Sequence, residues 1–226
     1  MQILALETST ESGSCALWQD GCVLAADCPA GASHSATLIP LAQQLLASVG
    51  SDFSTLDAIA FGMGPGAFTG LRVACGIAQG MAVALDKPVL PVGSLECMAW
   101  AAGGEKVLSL LDARMGEVYV GAFTRHAGGV QVVGELQVLR PEDIELPTDF
   151  QLVGNALLAY PQLLERISPH AKKLPGILPH ARPLVELAAL AFARGEGLDP
   201  SLALPRYVRD KVARTTAERL ADGVRT

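Results

Sequence analysis

The chain opens on a near-continuous apolar run, QILALE, passes through the polar stretch TSTESGS, and continues as CALWQDG, closing on Asp20-Gly21. Two apolar runs separated by turn formers predict two strands and a polar loop, and Asp-Gly predicts a hairpin into a third strand, VLAADC. Beyond a turn at Gly31–Ser33 the period changes. Leu38, Leu41, Ala42, Leu45 and Val49 fall on one face of a helix that stops at Gly50. LDAIAFGMG predicts a short buried strand entering a glycine-rich turn, and FTGLRVACGIAQGMAVALD a second helix. PVLPVGS is a strand beyond the Lys87-Pro88 break, and Leu95–Ala101 a short helix.

After Gly103-Gly104 the order starts again. KVLSLLDAR is a strand running into a turn at Met115-Gly116, EVYVGAFTR its hairpin partner, and VQVVGELQVL a third strand. FQLVGNA leads into a helix near Leu157–Ile167, and RPLVELAALAFARG forms another. The tail PRYVRDKVARTTAERL predicts an extended arm and then a terminal helix. Each half thus opens with a strand, a turn and two antiparallel strands, followed by helices. That is the pattern of a duplicated α/β fold, divided as 1–104 and 105–226.

Composition narrows the classes. With 226 residues, 50% of them hydrophobic and 18% charged, the chain can bury a sizeable core and is not a disordered segment. Aromatics are 5%, so Ala, Leu and Val must build that core. A net charge of −6 argues against a nucleic-acid binder acting alone, because neutralising phosphates needs a surplus of Lys and Arg. The charge is uneven: residues 1–104 hold Arg72 and Lys87 against eight acids, whereas residues 105–226 hold 15 of each sign. From Leu202 onward six basic residues face three acidic ones, so a contact with nucleic acid or an acidic partner would sit there, although such a tail is commonly just a solvated face.

The start lacks the pattern of a secretory leader, and no apolar run is long enough without interruption to predict a membrane-spanning helix. Five cysteines without a CxxC pair suit reduced thiols and a cytoplasmic address.

Two loops are candidates for a nucleotide site. Glu7, Thr8, Ser9 and Thr10 lie in a hydroxyl-rich hairpin, and Asp112 opens the matching turn of the second half. Such loops facing each other across a cleft hold a nucleotide in actin and sugar kinases, but both also read as ordinary hairpin turns. GMGPGAFTG is not a P-loop, since no Lys-Ser/Thr follows the glycines; an anion could rest on the next helix near Arg72, but a structural turn is the stronger reading. That helix carries one charge, Arg72, and one other strongly polar residue, Gln79, between Gly70 and Leu85.

A helix apolar all round is buried on more than one side. Its three glycines each cost about 1 kcal/mol of helix propensity, tolerated where another backbone comes close. One face would meet the sheet and the other a partner, unless the helix is sandwiched inside the fold. Glu in place of Ala74 or Ala78 separates the two: lost pairing with the fold intact, or lost folding. His34, His126, His170 and His180 show no metal-binding spacing, and no GxSxG elbow marks a nucleophile.

Read together, ILALETSTESGSCALWQDG, HSATLIP, LDAIAFGMGPGAFTGLRVACGIAQGMA, LLDARMGEVYVGAF, GNA and PRYVR resemble, in the same order over essentially the whole chain, the bacterial TsaB (YeaZ) family. The resemblance implies the duplicated actin-like (ASKHA) fold, with a mixed sheet flanked by helices in each subdomain. It implies a role in placing threonylcarbamoyl on the adenosine beside the anticodon of tRNAs that read codons starting with A. The family member is the non-catalytic subunit. It pairs with a metal-bearing paralogue, TsaD, and with a P-loop ATPase, TsaE, while a separate synthase supplies threonylcarbamoyl-AMP.

Pairing in the family runs through the first two helices, which implies Leu38, Leu41, Leu45, Phe68, Leu71, Ala74, Cys75, Ala78 and Met81 as interface residues. The chain would self-associate when alone and meet tRNA only through the complex. It would hold no cofactor of its own, although a nucleotide could sit at the subunit junction. Two departures bear on chemistry. The paralogue's HLEGH metal stretch reads here Ser94-Leu95-Glu96-Cys97-Met98, without either imidazole. Glu7 stands where relatives more often carry Asp. The alternative is an ATPase or small-molecule kinase of the same fold, with Glu7 and Asp112 as its acids; a protease reading lacks any triad.

Overall fold

The computed structural model describes residues 1–209. Strands β1 (Gln2–Glu7), β2 (Ser14–Gln19), β3 (Cys22–Asp27), β4 (Ala58–Gly64) and β5 (Val89–Gly93) form one sheet in the order β3-β2-β1-β4-β5. Strands β6 (Lys106–Arg114), β7 (Glu117–His126), β8 (Gly129–Leu139), β9 (Gln151–Val153) and β10 (Lys173–Leu174) form the other as β10-β9-β6-β7-β8. In both, three strands make an antiparallel meander, and two more join the first strand's free edge in parallel. The fold is thus the duplicated actin-like arrangement.

β1 explains why its sequence is apolar throughout. Leu4 and Leu6 enter a core beneath α1 (His34–Ser48) and α2 (Phe68–Leu85), while Ile3 and Ala5 enter another beneath α6 (Ala181–Ala193). A strand covered on both faces has no polar side to show. In the second sheet Leu108 and Leu110 pack toward α4 (Ala156–Ala159) and α5 (Pro161–Arg166), and Val107 and Leu111 toward α3 (Ser94–Ala102). Two helices are exchanged. The C-terminal α6 covers the first sheet, and α3, from the N-terminal half, covers the second; the two also pack against each other.

Some expectations change. The single helix near Leu157–Ile167 is two, broken at Tyr160-Pro161, because proline has no N–H to continue the ladder. β9 and β10, three and two residues long, are too short to show a period in the sequence. α2, with 18 residues, is long and apolar enough by itself to cross a membrane, unlike the expectation above. Ala74, Ala78 and Ala82 on it are fully buried in the core it shares with β4, as in a core helix. The arm runs extended to Arg209; the expected terminal helix lies outside the described residues.

Candidate functional site

α1 and α2 pair on one face of the first sheet. Their inward positions repeat every three or four residues: Leu38, Ala42 and Leu46 on α1, and Leu71, Ala74, Cys75, Ala78 and Ala82 on α2, none more than 5% exposed. Leu38, Leu71, Ala74, Cys75 and Ala78 therefore cannot present their side chains to a partner. They are spent on the chain's own sheet, and a carboxylate at Ala74 or Ala78 would break the fold before it tested any pairing. Leu41, Leu45 and Met81 are half-buried, and Phe68 is exposed.

The solvent side of the pair is built from two of the glycines that the sequence marks for a close approach and from apolar residues outside its periodic pattern. It holds Ile39 on α1, and Gly76, Gly80, Val83 and Ala84 on α2, with Val83 67% exposed. Neither Gly76 nor Gly80 has any atom within 4 Å of where a Cβ would stand. Arg72 is the only Lys, Arg, Asp or Glu in the two helices. The result is a face with a single charge, Arg72, one turn before Gly76.

The second region is the cleft between the two hairpins, a cavity of about 260 Å³. The hydroxyl-rich loop lines it from Ser9 to Ser12, whereas Glu7 and Thr8 do not reach it. Thr8 Oγ1 donates to Gly70 O at 2.7 Å, Ala67 N donates to Ser9 O at 2.7 Å, and Glu7, Thr8 and Ser9 are buried. A Cβ at Gly70 would stand 1.8 Å from Thr8 O, and one at Gly66 2.4 Å from Ser9 O. The glycines of GPGAFTG thus admit the chain's own hairpin.

Glu7 Oε1 accepts from Ser9 N at 2.6 Å, while Oε2 is buried without a partner, pressed toward Gly62. Burial pushes its pKa up against the opposing pull of Ser9. Thr10 Oγ1 donates to Ser12 O at 3.2 Å. Asp112 is also engaged. Its carboxylate accepts from Arg114 N at 2.9 Å and from Tyr160 O–H at 2.8 Å, and its own N–H donates to Asn155 Oδ1 at 2.9 Å. Burial, and then the Asp112 carboxylate, push the Tyr160 phenol up to about 12. An ion pair between Glu11 and Arg114 links the two hairpins at the surface.

Ser94, Cys97 and Met98 open α3 inside the core, and burial raises the Cys97 thiol well above its ordinary range. Among the described residues, no cluster of three or more His, Cys, Asp and Glu could hold a metal ion. His180 caps α6, its Nδ1 accepting from Arg182 N at 3.0 Å and its Nε2 lying 2.9 Å from Asp27 Oδ1. His34 packs against Gly13, His126 closes a turn with Gly128 N, and His170 is exposed.

The family model for TsaD, tRNA N6-adenosine threonylcarbamoyltransferase, matches residues 29–216. The tRNA threonylcarbamoyladenosine biosynthesis protein TsaB of Escherichia coli (strain K12) is 36% identical over 225 residues, spanning 94% of this chain and 96% of that protein. Its counterpart of the same name in Haemophilus influenzae is 35% identical over 94% of this chain and 95% of that protein. The solved structure of YeaZ from Pseudomonas aeruginosa superposes with a TM-score of 0.82 at 40% identity, covering 91% of this chain and 99% of that one. The chain belongs to the TsaB (YeaZ) family of tRNA threonylcarbamoyladenosine biosynthesis proteins.

Proposed function

We propose that this chain is the non-catalytic pairing subunit of a tRNA threonylcarbamoyltransferase assembly. It offers the exposed side of α1 and α2 to a TsaD-like paralogue that carries the metal and performs the transfer. A TsaE-like P-loop ATPase joins the pair, tRNA is met only through the assembly, and the cytoplasm is where it works. The observation that carries this reading is the charge-poor face holding Ile39, Gly76, Gly80 and Val83. Exposed apolar surface rimmed by polar residues marks an interaction site, and glycines with open space before them let a second helix approach at backbone distance. The same face would pair two copies of this chain when the paralogue is absent.

The kinase or ATPase alternative finds less support. It needs two acids free to orient a metal-bound nucleotide; Glu7 is sealed and Asp112 is occupied by Arg114 and Tyr160. The test is co-purification of this chain with its host's TsaD-like protein, with tRNA transfer assayed on each alone and on the pair. Transfer by the pair only is the expected result. Transfer or ATP hydrolysis at a useful rate by this chain alone would overturn it.

A further inference from the structure

Beside the cleft, the stretch Ala203–Arg209 crosses from the first subdomain to the second. Ala203 O accepts from Cys75 Sγ at 3.4 Å, Arg206 N donates to Met63 O at 2.7 Å, and Arg209 Nη2 donates to Ala113 O at 3.1 Å. Gly64 has no side chain where Arg206 O passes, 2.9 Å from its would-be Cβ. Under this strap lies a second cavity of about 200 Å³. Arg114, Arg206 and Arg209 line it with Phe68, Tyr119 and Tyr207, and no Asp or Glu does. An acid-free wall of arginines is unexpected in a chain of net charge −6.

The arginines differ in availability. Arg209 is paired with Glu117. Arg114 is paired with Asp112 at 3.5 Å and with Glu11. In the Glu11 pair both side chains are largely exposed, so that pair is weak and can be exchanged for a phosphate while Asp112 holds the other side of the guanidinium. Arg206 makes no ion pair among the described residues. At the rim, Phe68 and Tyr207 lie with ring centroids 5.4 Å apart, and the Arg72 guanidinium stacks 3.9 Å from the Phe68 centroid. Arg72 Nε donates to the Tyr207 hydroxyl at 3.0 Å, which holds that ring in place while it stays 44% exposed.

From this geometry we infer that the cavity and its rim bind a nucleotide of an RNA strand, the phosphate on Arg206 and Arg114 and the base against Tyr207. Guanidinium groups supply charge-assisted donors to phosphate oxygens, and a fixed, half-exposed ring is a stacking platform for any base. An acidic peptide would satisfy the arginines but leave the ring unused. The choice of RNA rests on the tRNA-modification reading above; within the assembly, this pocket would be the chain's own point of contact with the substrate.

The test titrates a fluorescein-labelled anticodon stem-loop RNA with this chain paired to its TsaD-like partner, across a salt series. Arg206→Gln should weaken binding and make the log–log salt slope shallower by about 0.7, the loss of one single-strand phosphate contact. Tyr207→Ala should weaken binding about 10-fold with the slope unchanged, and Tyr207→Phe should restore most of it. Both variants should still co-elute with the partner, since neither side chain lies in a core. Unchanged affinity and slope in an intact pair would overturn the inference while leaving the pairing reading standing. AMP or polyglutamate bound more tightly than the RNA at matched charge would overturn it too, showing a free-nucleotide or acidic-peptide site. If the wild-type pair does not form, the pairing reading fails, and the same titration on the chain alone still decides the pocket.

Discussion

Glu7 ends β1 with one carboxyl oxygen on Ser9 N and the other against Gly62, where a Cβ would stand only 2.1 Å from it. Its place at the mouth of a hairpin was legible in the sequence; its burial was not, because it depends on a glycine more than fifty residues away. Burial raises its pKa above the ordinary 4.5. The native state then binds this proton more tightly than the unfolded chain does. The stabilisation is fully present below the unfolded-state pKa and is lost as pH rises through the native one. Glu7→Gln imitates the neutral acid. It should match the wild type in acid and become more stable than it toward neutral pH, by about 1–3 kcal/mol, the cost of an uncompensated buried polar group. Urea unfolding over a pH series measures the gap. A variant less stable than the wild type at neutral pH would show that the ionised carboxylate is what holds Ser9 in place.

α2 carries three glycines that look alike in sequence and do different work. Gly70 is fixed by the hairpin, with Thr8 O where its Cβ would be. Gly76 and Gly80 look into open space. The sequence showed that a backbone had to come close to this helix; it could not show that the hairpin does so only at the first glycine. It also misassigned the faces. An all-apolar helix has no polar side to mark the outside, so nothing in the pattern tells Ala74, Cys75 and Ala78, which lie in the core, from a contact surface. The pair of outward glycines gives a prediction with two opposed signs. Gly76→Ala and Gly80→Ala should each stabilise the isolated chain by about 1 kcal/mol through helix propensity. The same substitutions should weaken pairing with the TsaD-like partner, because methyl groups would hold a crossing helix away. Thermal melts and a pull-down on the same preparations test both. Stabilised variants that pair as well as the wild type would remove this face from the interface.

At the scale of the molecule, the repeat of strand, turn and meander is readable because turns recur at matching points: TSTESGS after QILALE, and Met115-Gly116 after KVLSLLDAR. The exchange of α3 and α6 was not readable. Both helices are apolar on the face they bury, and nothing in such a face records which sheet it covers. The exchange nevertheless decides how the protein folds. Removing residues 105–226 takes away Leu184, Val185 and Ala188, which cover Ile3, Ala5, Ala58 and Ala60. Removing residues 1–104 takes away Leu95, Met98 and Ala99, which cover Val107, Leu111 and Phe123. Burying one Leu or Val is worth about 1.5–3 kcal/mol, and a whole domain is stable by only about 5–15 kcal/mol. Uncovering either cluster therefore removes much or all of a half's margin. A chain cut by a protease site placed between Gly103 and Gly104 should stay together on a sizing column and unfold in one transition. Each half made separately should lack a cooperative melt by circular dichroism. A cooperative melt from residues 1–104 alone would mean that the first sheet finds cover without α6, and that the two subdomains fold as independent units.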